Sequence, residues 1–124
     1  MLTVRTRFLA ASYALVLAVA PAFAHHSLAL YNMTNPVTVK GVVTRLEWTN
    51  PHAHLYIEVK DSKGNVEEWA IEMDHPDFLS HSGWTSTTVK PGDLVICTGG
   101  RAKSGARTMR CTTVQLANGE KLRS

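Results

Sequence analysis

What this chain lacks narrows its range before any motif is considered. Beyond residue 20 no apolar stretch approaches the roughly 20 residues that a membrane helix needs, so nothing later in the sequence reads as a span. No Ser-His-Asp, Cys-His or paired-carboxylate set has the spacing of a catalytic constellation. Cysteine occurs only at positions 97 and 111, and with no further cysteine to help, a thiolate metal site is disfavoured. There is no internal repeat and no low-complexity segment. Charge imbalance is small as well. The 13 Lys+Arg against 10 Asp+Glu give +3, and two of those basic residues, Arg5 and Arg7, stand in a leader, which leaves +1. That near-neutrality removes the usual electrostatic reason to expect nucleic acid or an anionic membrane as partner.

What is present begins with the leader. Met1 to Arg7 is a short basic start, Phe8 to Ala20 an apolar run, and Pro21 a break. Ala22-Phe23-Ala24 then supplies a small-x-small cleavage pattern, so residues 1–24 read as a secretory signal peptide. Export to the periplasm follows, with no membrane attachment after cleavage. Cutting after Ala24 makes His25 the first mature residue. Residues 25–36 form an N-terminal arm without a clear strand pattern, and residues 37–124 a single small domain.

An oxidising compartment makes a disulfide between Cys97 and Cys111 the first expectation. Their midpoint, Ser104, lies in the Gly-rich stretch Gly99–Gly105, a hairpin turn that would set the two cysteines opposite each other. Closing that loop would stabilise the domain by about 3 kcal/mol in the chain-entropy model.

The apolar pattern gives five short strands. Val37 to Trp48 is the first, where Val37 and Val39 share one face and Val42, Leu46 and Trp48 continue in the opposite phase after Gly41, the mark of a bend. His54 to Lys60 places Leu55, Ile57 and Val59 inward, and Val66 to Met73 does the same with Trp69, Ile71 and Met73. Glu67, Glu68 and Glu72 read as a solvated strand face. A short helix follows, with Asp74 or His75 as cap, Pro76 in its first turn, Phe78 and Leu79 inward and Gly83 as its stop. Leu94 to Thr98 and Arg107 to Leu116 complete the set, and Asn118-Gly119 can fold the tail back. This order predicts an all-β fold, a five-stranded OB-like Greek-key barrel with one short helix between strands three and four, with a β-sandwich as the alternative.

The runs His25-His26-Ser27-Leu28-Ala29, Trp48-Thr49-Asn50-Pro51-His52, Trp69-x-Ile71-Glu72, Gly83-Trp84 and Lys90-Pro91-Gly92-Asp93 resemble a family of small exported bacterial proteins catalogued as domain of unknown function 6152. The resemblance covers nearly all of residues 25–120. It implies a periplasmic β-rich domain and carries no activity with it. Cys97 and Cys111 are not part of the recognised pattern.

The chemistry is therefore sought in histidine. An N-terminal His25 offers two nitrogens to one ion, its α-amine and its ring, and an α-amine with an ordinary pKa of about 7.7–8.0 releases its proton to a metal near neutral pH. His52 and His54, two apart at the start of a strand, should face the same way with bases about 7 Å apart. A nitrogen-rich set of His25, His26, His52 and His54 suits Cu(II) best, with zinc second. The arrangement resembles the histidine brace of exported copper proteins. His25 would chelate, His52 or His54 would complete the site, and His26 could substitute or sit beside the ion. His75 and His81 are explained by helix capping and a solvated helix face. Met73, Trp48, Trp69 and Trp84 read as core and cap packing.

Three classes follow: a copper-binding or copper-carrying exported protein, a non-catalytic accessory module that holds a small ligand or another exported protein, and an enzyme. About one hundred residues leave little surface for substrate recognition, so no catalytic residue is assigned and the copper reading leads.

Overall fold

The computed structural model describes residues 28–124. Runs in which β-branched and aromatic residues recur at every second position offer one buried strand face and no helical stripe. They become six strands, β1 (Val37–Glu47), β2 (His54–Lys60), β3 (Val66–Glu72), β4 (Leu94–Arg101), β5 (Thr108–Gln115) and β6 (Lys121–Arg123), with one helix, α1 (Pro76–His81), between β3 and β4. Hydrogen-bonded neighbours run β3-β2-β1-β4-β5-β6, and β3 pairs additionally with β5. That pairing is parallel, from Ala70 opposite Thr108 to Glu72 opposite Arg110. It joins the two ends of the order β3-β2-β1-β4-β5 and closes a five-stranded barrel. The closure agrees with the OB-like barrel and not with the sandwich. β6 is the folded-back tail, laid along the remaining length of β5 with Leu122 opposite Val114.

β1 serves both halves of the barrel, pairing with β4 over Val37–Val42 and with β2 from Val42 onward. The change of phase expected at Gly41 lies elsewhere. Val39, Gly41 and Val43 all face inward, Val42 is exposed, and the register shifts between Val43 and Arg45. One extra residue at Thr44 performs the switch, as a bulge does. Gly41 has a different role. A β-carbon there would stand 2.6 Å from the Glu58 carbonyl oxygen, so its hydrogen side chain is what lets β1 cross β2 closely.

The inward residues form one core: Val39, Val43, Leu55, Ile57, Ile71, Val95, Met109 and Val114 are joined by Leu79, Trp84 and Leu122. Each fully buried aliphatic side chain contributes about 1.5–3 kcal/mol relative to exposure. α1 reaches this core through Leu79. His75 is its N-cap, with Nδ1 accepting from the Phe78 amide at 3.2 Å. Beyond Gly83 (φ +94°) the Trp84 amide donates back to the Leu79 carbonyl at 2.9 Å, and the Trp84 indole donates to the Arg123 carbonyl at 2.8 Å. The glycine stop thus aims a tryptophan into the core and ties it to β6.

Cys97 and Cys111 are both buried and both free thiols. The expected register is displaced, because a shift between Thr98 and Gly99 sets Cys97 opposite Val114 and Cys111 opposite Gly99. The two thiols are therefore diagonal neighbours on the inner face. The Cys111 thiol donates to the Thr113 carbonyl at 3.2 Å. Hydrogen bonding to Cys111, reinforced by burial, pushes the Cys97 thiol far above its ordinary value.

The second half of the arm, residues 31–36, is fastened to the barrel. Tyr31 is buried and bridges Ala102 in antiparallel fashion, and the Asn32 amide donates to the Arg101 carbonyl at 2.9 Å. Gly100 permits the approach, since a β-carbon there would lie 2.6 Å from Met33 Sδ.

Candidate functional site

The Asn50-Pro51 turn, whose peptide bond is cis, delivers the chain to His52. Ala53 then faces fully inward and exchanges backbone hydrogen bonds with the next strand: its amide donates to the Asp74 carbonyl and its carbonyl accepts from the Met73 amide. These bonds continue the β2–β3 ladder past its named ends. An inward Ala53 turns its neighbours His52 and His54 to the outer face, as the spacing predicted.

On that face the two histidines have different surroundings. His52 Nδ1 lies 3.3 Å from Glu72 Oε1, with the His52 side chain 31% exposed. His54 stands instead beside Tyr56, with ring centroids 6.3 Å apart, and the Arg45 guanidinium stacks over Tyr56 at 3.5 Å. Tyr56 donates to Glu47 at 3.2 Å. His54 lies in register with Glu47 of β1 and Glu72 of β3, whereas it is the His52 ring nitrogen that has a Glu72 oxygen at 3.3 Å.

That carboxylate is the centre of a polar cluster on the seam where β3 meets β5. Glu72 is buried, at 9% exposure, although its strand position faces outward. The Tyr31 hydroxyl donates to Glu72 Oε2 at 2.8 Å. Arg110, its register partner and equally buried, brings Nη1 to 3.6 Å from Oε1 and donates to the Met73 carbonyl. The other Arg110 nitrogen reaches Asp74 Oδ2 at 3.1 Å. A buried carboxylate is costly unless paired and hydrogen-bonded, and here it is both. Burial, and to a lesser degree the bond to Glu72, raises the Tyr31 phenol above its ordinary value.

The expectation of a solvated glutamate face holds for Glu68, which is exposed, and fails for Glu72, which the arm and the β5 seam cover. Tyr31, Asp74 and Arg110 carry the site without having been singled out for it. Strand alternation could place Glu72 outward, but only the parallel β3–β5 pairing brings Arg110 beside it. His75 is spent on capping α1, and exposed His81 hydrogen-bonds the Asp77 carbonyl at 2.8 Å. His25 and His26 lie outside the described residues. Among the described residues no group of three or more His, Cys, Asp or Glu side chains is arranged to hold a metal ion. His52 and His54 thus offer ring nitrogens on one face and need further donors to make a site.

Compared with known protein families, residues 14–111 match a family described as "Family of unknown function (DUF6152)". No curated protein and no solved structure matches the chain.

Proposed function

The chain belongs to the DUF6152 family of unknown function, and with no activity inherited from it we propose that this is an exported, periplasmic copper-binding or copper-carrying protein. The α-amine and ring of a mature N-terminal His25 chelate the ion, and the barrel completes the site through His52, with His54 and His26 as auxiliary donors. The observation that carries the reading is the environment of His52. Its Nδ1 faces a buried, paired carboxylate, which leaves Nε2 as the nitrogen available to an ion. A carboxylate behind the ring is the usual companion of a metal-bound histidine. A second feature supports it. Tyr31, which follows His25 by six residues in the chain, bonds the same Glu72 carboxylate. Nitrogen donors of this kind favour Cu(II) over zinc.

The test is mass spectrometry of the exported protein to define its first residue, followed by Cu(II) titration of three forms. These are wild type, His25→Ala, and a form carrying one extra glycine before His25. One tight equivalent in wild type that is lost in both altered forms supports the proposal. Equal binding by all three overturns it.

The accessory-module reading has one observation in its favour, an open cleft of about 440 Å³ bounded by Val42, Val66 and Leu94 with Lys40, Lys60 and Glu58. Copper affinity that is unaffected by the N-terminal extension would favour that reading over the first.

A further inference from the structure

The copper proposal says that His52 takes part; the polar cluster on the β3–β5 seam says how its ring is held. We propose that Glu72 is the positioning residue of the site. It holds His52 as the Nδ1–H tautomer and so presents the Nε2 lone pair outward, while Arg110 and Tyr31 hold Glu72. The inference rests on the proposed function for its purpose, but its physical content concerns the metal-free protein.

The argument is electrostatic. With Arg110 Nη1 at 3.6 Å and the Tyr31 hydroxyl donating at 2.8 Å, the charged form of Glu72 has the partners that ionisation requires in a buried position. Its Oε1 is 3.3 Å from His52 Nδ1. If Nδ1 were bare, two lone pairs would oppose each other at that distance. With the proton on Nδ1, the positive ring N–H instead stands within 3.3 Å of a carboxylate oxygen, which favours it. In a neutral imidazole one nitrogen donates and the other accepts, so fixing the proton on Nδ1 makes Nε2 the acceptor. Arg110 cannot easily turn away, because it also donates to the Met73 carbonyl and reaches Asp74 at 3.1 Å. The chain Asp74–Arg110–Glu72–His52 thus passes orientation from the barrel seam to one exposed ring nitrogen. Tyr31 adds the arm to the same chain.

The experiment uses the full mature protein in wild-type, Glu72→Gln, His52→Ala and doubly substituted forms. Imidazole ¹⁵N chemical shifts are recorded at about pH 8.5, where an ordinary histidine is neutral. They should show wild-type His52 as Nδ1–H with a bare Nε2, and Glu72→Gln with a mixture shifted toward Nε2–H. Cu(II) affinity should fall about 10–100-fold in Glu72→Gln, the usual effect of losing such a partner. No further loss should follow when the same change is made in the His52→Ala background. Backbone amide spectra that keep the wild-type pattern show that the variants are folded. A variant that does not fold is replaced by Arg110→Lys, which keeps the charge but loses the fork and should shift the same tautomer signals. Wild-type His52 found as Nε2–H overturns the inference, whether or not copper binds. The same tautomer in wild type and Glu72→Gln overturns it too. Wild-type protein that shows Nδ1–H yet takes up no Cu(II) leaves Glu72 as positioning residue and removes the copper reading instead.

Discussion

Replacing Tyr31 by phenylalanine removes one oxygen and nothing else, and it tests whether the arm is anchored through a buried charge. The Tyr31 hydroxyl donates at 2.8 Å to Glu72, and the two residues are 8% and 9% exposed. A hydrogen bond to a charged group contributes about 1.5–3 kcal/mol net. Glu72 keeps Arg110 and His52 after the substitution, so the lower end applies, about 1.5 kcal/mol. For a domain of this size that lowers Tm by about 6–12 °C. An internal control has the same chemistry in a wetter place. Tyr56 donates at 3.2 Å to Glu47, whose side chain is 44% exposed, and Tyr56→Phe should cost no more than about 0.5 kcal/mol. Urea unfolding at pH 7 and thermal melts followed by circular dichroism measure both. Equal losses for the two variants would show that Glu72 gains nothing from burial, and the account of the cluster would fail with it.

The same tyrosine has a pH signature. Burial, with the Glu72 bond, raises the folded-state pKa of Tyr31 above the unfolded value of about 10. A group raised on folding contributes stability that is complete below the unfolded pKa and is lost as pH climbs through the folded one. Wild type should therefore lose stability above about pH 10 more steeply than Tyr31→Phe does; parallel curves in urea titrations would contradict this. At the bulge in β4, a β-carbon on Gly99 would meet the Arg110 carbonyl oxygen at 2.0 Å. Gly99→Ala should cost about 3 kcal/mol or more, against about 1–2 kcal/mol for Gly92→Ala, where only a positive φ is strained. A smaller loss at Gly99 than at Gly92, read from urea midpoints, would mean the strands are not that close. In the reduced protein Cys97 and Cys111 are 0% and 1% exposed, so Ellman's reagent should reach them only as fast as the barrel opens. Prompt reaction of either thiol in native buffer is the contrary result.

Much of this fold could be read from local pattern because strand periodicity is a property of neighbouring residues. β2 runs from His54 to Lys60 as its alternation predicts, and Pro76, Gly83 and Trp84 mark the start, stop and inward turn of α1. Where the reading slipped, a non-local contact decided. The first strand changes phase at Thr44, and Gly41 is small because Glu58 of the neighbouring strand passes 2.6 Å from its missing side chain. The hairpin of β4 and β5 was expected to be symmetric about Ser104, but the shift at Thr98 and Gly99 moves Cys97 and Cys111 to diagonal positions. At the site, the shared face of His52 and His54 was legible from their spacing. Tyr31, Glu72, Asp74 and Arg110 were not, since each is an ordinary arm, strand or helix-cap residue until the seam assembles.

The amino-acid order alone determined the second and third strands, the short helix between the third and fourth strands, and the outward turn of His52 and His54. These depend on backbone geometry and on side chains within a few residues of one another. Tertiary structure alone decided which histidine has a carboxylate behind it. Glu72 and Arg110 are 38 residues apart in the chain and become neighbours only through the parallel β3–β5 pairing. At that seam the Tyr31 hydroxyl and the Arg110 guanidinium then hold a surface-type glutamate in one place, and burial makes the loss of either partner costly.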